Sequence, residues 1–239
     1  MTKKQAKHIF DKYNPQNAVI RCPSGRGPVR KQLNTYAKAA VNLYGIIPTK
    51  DFVEIFNSQN TEQTTVDEVF LLLLPGILKE SKHSKVEYYC FYKDNIIHYW
   101  AAGDFNFGDY WLREQGDKPR YIPEKNEFLE YESEFYEDEV QELHWEKVFK
   151  FLLKEWPNNL AIYKFFNELK DISQLSGELG IHELLRTYNL SLSSKEQVQP
   201  FLDLVSAAHN NTRMWINKGN TPEELFKDRK NLYKEKVKK

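Results

Sequence analysis

The feature of this sequence that constrains the fold most is the helical spacing of apolar residues between positions 31 and 44. The residues that recur at intervals of three and four are Leu33, Tyr36, Ala37, Ala40, Val41 and Tyr44. This spacing places them on one face of an α-helix. Gly45 follows where a helix C-cap is expected, because glycine adopts a left-handed conformation there at no steric cost. The pattern predicts a helix over 31–44.

Start and stop signals predict two more helices. Thr49 follows Pro48 and is the expected N-cap of the second helix. Thr65 and Glu68 have the spacing of a capping box, in which each residue satisfies a backbone amide of the other. Proline lacks an amide hydrogen and clashes with the preceding turn. We therefore expect the third helix to end at Pro75.

Two β-rich runs follow these helices. Val86–Tyr92 and Ile96–Trp100 are separated by Lys93, Asp94 and Asn95, which predicts a β-hairpin. Three helices followed by a hairpin is the order of a winged-helix domain, which we place at 31–101, after a basic segment at 1–30. The hairpin carries six aromatic residues: Tyr88, Tyr89, Phe91, Tyr92, Tyr99 and Trp100. We expect them to pack in the core, with base stacking as the alternative.

The second half of the chain is predicted to be helical. Residues 102–123 are expected to form a linker, because Pro119 and Pro123 both disfavour a helical predecessor. Residues 124–239 then form a helical domain. Its expected helices cover about 125–136, 139–155, 158–170, 172–188 and 195–209, followed by a last helix that starts at Thr221. The predicted fold class is mainly α, a winged-helix-like domain followed by a helical bundle.

Composition predicts a packed intracellular protein. Hydrophobic residues make up 41% of the chain and aromatic residues 14%, which is ample core material. Cys22 and Cys90 are far apart, so neither a disulfide framework nor a zinc site is indicated. The first residues have no apolar core of a signal peptide, and no apolar run approaches the length of a membrane span. The expected location is the cytoplasm, with no membrane association.

The motifs tested for chemistry do not predict an enzyme. The glycine-rich loop at Cys22 lacks the Gly-Lys-Ser/Thr ending of a nucleotide P-loop. A phosphatase loop needs an arginine six positions after the cysteine, where this chain has Pro28. The histidines lack the spacing of metal ligands, and the acidic run from Glu130 to Glu142 is typical of a solvated face. No cofactor or metal is predicted. The alternative is an enzyme whose carboxylates converge only in the fold.

Charge makes nucleic acid a possible partner. The net charge is zero, but both ends of the chain are basic and the middle is acidic. The candidate phosphate contacts near the start are Lys3, Lys4, Lys7, Arg21, Arg26, Arg30 and Lys31. The predicted third helix instead begins with Asp67 and Glu68, which is unfavourable for a helix that must approach phosphates. Sequence-tolerant DNA binding through the basic ends is therefore the runner-up function.

Two stretches of the chain resemble segments of uncharacterised proteins from Gram-positive bacteria and their mobile elements. They are Tyr36–Ile47 and Asn210–Leu225, and the resemblance implies no known activity. Some proteins similar in the second stretch end in a cysteine-rich zinc-binding segment, which this chain lacks. The residues of the second stretch predicted to form a structural motif are Asn211, Arg213, Trp215, Gly219, Thr221, Pro222 and Glu224. Arg213 and Trp215 are available there for a buried cation-π or stacking contact.

The first hypothesis for function is an accessory or regulatory protein that binds another macromolecule, most simply another protein. The two halves of the chain would serve as its docking surfaces. The support for this hypothesis is indirect: the polar side chains that could carry catalysis or bind a metal are scattered over the sequence and form no motif. DNA binding and a fold-assembled carboxylate enzyme remain the alternatives.

Overall fold

A computed structural model describes residues 25–80, 88–102, 107–175, 179–192 and 194–237. The fold is mainly helical with one small antiparallel sheet, as predicted. The chain divides into two compact units. The first consists of residues up to Gly116 together with Ile122–Tyr136, and the second consists of Asp117–Tyr121 together with the residues from Glu137 onward.

The first unit combines five helices with three strands in its described residues. Its elements are α1 (Gly27–Tyr44), β1 (Ile46–Pro48), α2 (Thr49–Gln59), α3 (Val66–Glu80), β2 (Tyr89–Tyr92), β3 (Asn95–His98), a 3₁₀ turn (Tyr99–Ala102), α4 (Phe107–Gln115) and α5 (Lys125–Glu130).

The predicted first helix is confirmed and extends further toward the amino terminus. Pro28 lies in the first turn of α1, where its missing amide hydrogen costs nothing because that amide has no intrahelical partner. Gly45 ends the helix at φ 69°, and its N–H donates to the carbonyl oxygen of Val41 at 2.8 Å. Thr49, the predicted N-cap of the second helix, is instead the first residue of α2, and Pro48 occupies the cap position.

The predicted hairpin is confirmed, with a two-residue turn at Lys93 and Asp94 between β2 and β3. The sheet also contains β1, which pairs antiparallel with β3 so that Ile46 lies opposite Ile97. The strand order is β1-β3-β2. The three residues of β1 are too few to show a period of two, so the sequence pattern did not reveal this strand.

The third helix does not end at Pro75, which corrects the prediction. α3 continues to Glu80. The buried side chains that hold this helix in the core are Val69, Phe70, Leu72, Leu73 and Leu74. Burial of a large apolar side chain contributes about 1.5–3 kcal/mol. These contacts anchor the part of α3 that precedes Pro75.

The predicted linker at 102–123 also differs from the structure, because it contains α4. Trp111 on this helix is buried. Gly108 lets the helix approach β2 closely: a Cβ atom at this position would lie 2.4 Å from the ring of Tyr92. Such an approach is possible only for glycine. Glycine is a turn signal in a sequence, so the sequence predicted a linker here and not a helix.

Residues 124–136 belong to the first unit, whereas the predicted domain boundary placed them in the second. Phe128 on α5 is fully buried, and its ring centroid lies 5.2 Å from that of Tyr36 on α1. The side-chain amide of Asn42 donates to the carbonyl oxygen of Tyr131 at 2.9 Å. The predicted helix over 125–136 is shorter than expected and ends at Glu130.

All the regular secondary structure in the described residues of the second unit is helical. Its elements are α6 (Glu139–Glu155), α7 (Ala161–Leu175), α8 (Ile181–Thr187), α9 (Lys195–Asn210), a 3₁₀ turn (Trp215–Asn217) and α10 (Pro222–Val237). The core includes Trp145 and Leu152 of α6, Phe165 of α7, and Phe201 and Val205 of α9.

The helix predicted over 172–188 is wrong. α7 ends at Leu175, and α8 begins at Ile181 after Gly180, which has a φ of 50°. This left-handed backbone interrupts a helix and favours glycine. The start predicted for the last helix is confirmed, because Glu224 N–H donates to Thr221 Oγ1 at 3.1 Å and Thr221 N–H donates to Glu224 Oε2 at 2.9 Å. Within the described ranges, no helix is long and apolar enough to cross a membrane.

Candidate functional site

The aromatic surface of the first unit, formed by Tyr88, Tyr99 and Trp100, is the strongest candidate site. Their exposed fractions are 39%, 36% and 69%. The prediction that the hairpin aromatics pack in the core is confirmed for Tyr89 and Phe91, which are buried. It is wrong for the three residues of the aromatic surface. Exposed aromatic side chains that lie together are typical of binding surfaces.

Strand geometry explains which hairpin aromatics are buried. Side chains alternate between the two faces of a strand, and Tyr89 and Phe91 share the inner face of β2. The Tyr89 hydroxyl donates to Asn34 Oδ1 at 2.7 Å, and the Phe91 ring lies 4.5 Å from that of Phe70. Tyr88 has the opposite parity and faces outward.

The 3₁₀ turn after β3 brings the other two aromatic residues to the same place. Tyr99 N–H donates to the carbonyl oxygen of Tyr88 at 3.2 Å, which continues the register of the hairpin. The centroids of the Tyr99 and Trp100 rings are 5.5 Å apart. The change from strand to 3₁₀ conformation turns the Trp100 side chain to solvent, whereas Ala101 is buried. The aromatic surface therefore results from a local break in β geometry.

His98 fixes the backbone at Trp100. Its side chain is buried, and the N–H of Trp100 donates to His98 Nδ1 at 3.2 Å. Burial lowers the pKa of His98 to about 4, because the charged imidazolium loses its hydration. The ring is therefore neutral at pH 7, the state in which Nδ1 accepts the hydrogen bond from Trp100. The backbone of Trp100, whose side chain is exposed, is thus hydrogen-bonded to a buried side chain.

The lowered pKa of His98 predicts a pH dependence of stability. In the unfolded chain this histidine has its ordinary pKa of 6.5, above the folded value of about 4. The unfolded state therefore binds more protons in this window, and the free energy of unfolding falls as pH drops from about 6.5 to about 4. The full loss is about 3 kcal/mol. Urea unfolding at several pH values measures it.

His98→Asn is the control for this prediction, because the asparagine Oδ1 can take the place of Nδ1 as acceptor and does not titrate. We expect the variant to lack the part of the pH dependence assigned to His98. Equal slopes for the wild type and the variant between pH 4 and 6.5 would show that His98 is not the titrating group.

Lys38 lies next to the aromatic surface and is paired with a carboxylate. Lys38 Nζ lies 5.1 Å from the centroid of the Tyr88 ring and 3.3 Å from a carboxylate oxygen of Glu132. Lys93 lies at the other end of the hairpin, in its turn, 2.6 Å from Asp109. Each positive charge is therefore balanced by a neighbouring carboxylate. Among the described residues, the lysine over the Tyr88 ring is therefore neutralised by a carboxylate, which weakens its attraction for phosphates.

Three of the seven predicted phosphate contacts are among the described residues: Arg26, Arg30 and Lys31. Lys3, Lys4, Lys7 and Arg21 lie outside the described residues. Arg26 forms ion pairs with Glu68 at 2.6 Å and Glu62 at 3.0 Å. The hydrogen bond from Arg26 is the main cause that lowers the pKa of the Glu68 carboxyl.

The remaining two predicted contacts, Arg30 and Lys31, lie in the first turns of α1. The capping box predicted at Thr65 is half formed: Glu68 N–H donates to Thr65 Oγ1 at 3.2 Å, but the Glu68 carboxylate is bound by Arg26.

Arg213 is the centre of the structural motif predicted in the second unit. Its guanidinium carbon lies 3.5 Å from the centroid of the Tyr121 ring, so the expected cation-π contact is present with a tyrosine that the sequence pattern did not indicate. The same group forms ion pairs with Asp138 at 3.0 Å and Glu224 at 3.1 Å. It also donates to the carbonyl oxygen of Gly219 at 3.1 Å.

The other predicted motif residues of the second unit are buried or form contacts that stabilise the fold. Trp215 is buried, and the Asn211 amide donates to the carbonyl oxygen of Ala207 at 2.9 Å. Thr221 and Glu224 form the capping box of α10, and Pro222 is its first residue. The ion pair between Arg213 and Glu224 joins the start of α10 to the segment that follows α9. The motif therefore holds the fold of the second unit.

Catalytic groupings are not evident in the part of the chain that the structure describes. No group of three or more histidine, cysteine, aspartate or glutamate side chains there could hold a metal ion. Ser173 Oγ and His209 Nδ1 are 2.8 Å apart. A serine beside a histidine can act as a nucleophile, but Ser173 is fully buried on α7 and out of reach of a substrate.

Comparisons with known proteins give no further assignment: no family model, no curated protein and no solved structure matches this chain.

Proposed function

We propose that this protein is an accessory or regulatory protein that binds another protein through its aromatic surface. The observation that carries the proposal is Trp100, whose side chain is 69% exposed while its backbone is held by buried His98. Tryptophan and tyrosine are enriched among the residues that dominate binding energy at protein interfaces. A rigid aromatic side chain loses little entropy on binding.

The first unit is, in this proposal, a winged-helix-like domain used for protein contact. The order α1-β1-α2-α3-β2-β3 and the sheet order β1-β3-β2 support this assignment. In a DNA-binding winged helix, the third helix enters the major groove and presents polar and basic side chains. α3 begins with Asp67 and Glu68 and buries Phe70 and its apolar neighbours in the core. Its described side chains are suited to packing and not to reading bases.

Charge also favours a protein partner over nucleic acid. A protein that binds nucleic acid gains affinity by releasing counterions from phosphates, which requires free lysine or arginine side chains at the surface. Here Lys38, the lysine over the Tyr88 ring, is paired with Glu132. An aromatic surface with balanced charge fits the apolar centre and polar rim of a protein interface.

The experiment that tests this proposal identifies the class of the bound macromolecule. Tagged wild-type protein and a Trp100→Ala variant are incubated with nuclease-treated native lysate. We expect a specific protein to be retained by the wild type and lost with the variant. In parallel, fluorescence anisotropy with random duplex and single-stranded DNA at low salt is expected to show no saturable binding.

The opposite pattern would contradict the proposal. DNA binding that falls steeply between low and moderate salt would favour the phosphate-binding alternative. Retention of the same proteins by the wild type and by Trp100→Ala would show that the aromatic surface is not the binding site.

A further inference from the structure

A groove in the second unit lies between α8, α9 and the segment that joins them. Its volume is about 750 Å³, within the range of roughly 300–1,000 Å³ typical of small-molecule sites. The lining is mainly apolar and includes Leu185, Leu190, Phe201 and Leu202. Leu190 and Phe201 are buried members of the core, so the groove reaches from the surface down to the core.

The titratable side chains of the lining are an arginine and a histidine. Arg186 and His182 lie on α8, and no aspartate or glutamate is among the lining residues. In the described portion of the chain, Arg186 forms no ion pair. This contrasts with Lys38, Arg26 and Arg213, which all have carboxylate partners. An apolar groove with an unpaired guanidinium is complementary to a ligand that is apolar over most of its length and carries one negative charge.

The depth of the groove favours a ligand without a polypeptide backbone. A backbone that entered the groove would place its N–H and C=O groups against Leu190 and Phe201, where they would find no partners. An alkyl chain or an aromatic ring has no such groups and gains free energy by leaving water.

We infer that the groove between α8 and α9 binds an anionic amphiphile, such as a long-chain carboxylate. The apolar part lies against Leu190, Phe201 and Leu202, and the anionic group is bound by Arg186. This site is separate from the aromatic surface and does not depend on the function proposed for it.

A matched pair of fluorescent probes tests the inference. The anionic probe is 8-anilinonaphthalene-1-sulfonate, and the neutral probe is N-phenyl-1-naphthylamine, which has the same rings without the sulfonate. We expect saturable binding of both probes to the wild type. Arg186→Gln should weaken binding of the anionic probe about tenfold, the effect of losing one charge-assisted contact, and should leave the neutral probe unchanged.

Variants with similar exposure separate the groove from the rest of the surface. Leu202 is 37% exposed and lines the groove, whereas Leu153 on α6 is 39% exposed and lies outside it. Leu202→Asp should weaken both probes at least about tenfold, because a carboxylate would face the apolar part of the ligand. Leu153→Asp should leave both titrations unchanged. Thermal unfolding confirms that each variant is folded.

Displacement experiments on the wild type test the same point without a variant. Dodecanoate should displace the anionic probe, whereas dodecyltrimethylammonium, which has the same chain length and a positive charge, should not. The inference is overturned by unsaturable probe binding, by equal displacement with both amphiphiles, or by loss of the two probes to the same extent in Arg186→Gln. Unchanged titrations with folded Leu202→Asp would overturn it as well.

Discussion

Replacing Trp100 with alanine is expected to weaken binding of the protein partner at least about thirtyfold. A dominant interface residue contributes 2 kcal/mol or more, and 1.4 kcal/mol corresponds to a factor of ten. The thermal stability of the variant should be close to that of the wild type, because the side chain is 69% exposed and contributes little to the core. Isothermal titration with the recovered partner measures the loss.

Phe226→Ala is the matched control for this variant. Phe226 on α10 is 64% exposed, so its removal takes away a similar area of exposed aromatic surface elsewhere on the chain. We expect its affinity for the partner to equal that of the wild type. If Trp100→Ala and Phe226→Ala reduced affinity equally, the aromatic surface would have no special role in binding.

Replacing Arg213 with alanine is expected to lower the free energy of unfolding by about 3–5 kcal/mol. Removing one partner of a buried ion pair has a cost of this size, and here the carboxylate of Asp138, 19% exposed, would keep its helix-capping hydrogen bonds but lose the positive charge beside it. Asp138 and Glu224 would both lose their ion pairs with Arg213, and the Tyr121 ring would lose the stacked guanidinium. Urea unfolding measures the change.

Two further variants define the role of Arg213. Arg213→Lys keeps the charge but lacks the planar group that stacks on a ring and binds two carboxylates, so we expect an intermediate loss. Lys150→Ala removes an exposed ion pair with Glu146 from the same unit and should cost less than about 1 kcal/mol. A loss for Arg213→Ala no larger than that for Lys150→Ala would contradict this account.

The parts of the fold that the sequence predicted correctly have local signals. The helical spacing before Gly45, the hairpin runs and the Thr221 capping box each involve residues that are close in sequence. The parts that were missed depend on distant contacts. β1 is recognisable only through its pairing with β3, and α4 tolerates Gly108 because the ring of Tyr92 lies against it.

The candidate site was harder to predict than the fold. Parity along β2 does distinguish Tyr88 from Tyr89 and Phe91, and this signal could have shown that Tyr88 faces outward. Nothing local marks the change to a 3₁₀ turn that exposes Trp100. The ring beneath Arg213 belongs to Tyr121, far away in sequence, so only the folded chain identifies that contact.

The central claim is that the aromatic surface contacts another protein, and site-specific photocrosslinking tests it most directly. A benzophenone amino acid is placed at Tyr99, next to Trp100, or at Phe135, which is 85% exposed in the same unit. We predict a discrete protein adduct from position 99 that is absent from position 135 and is abolished by adding Trp100→Ala. Equal adducts from both positions, or adducts that persist in the alanine background, would contradict the claim.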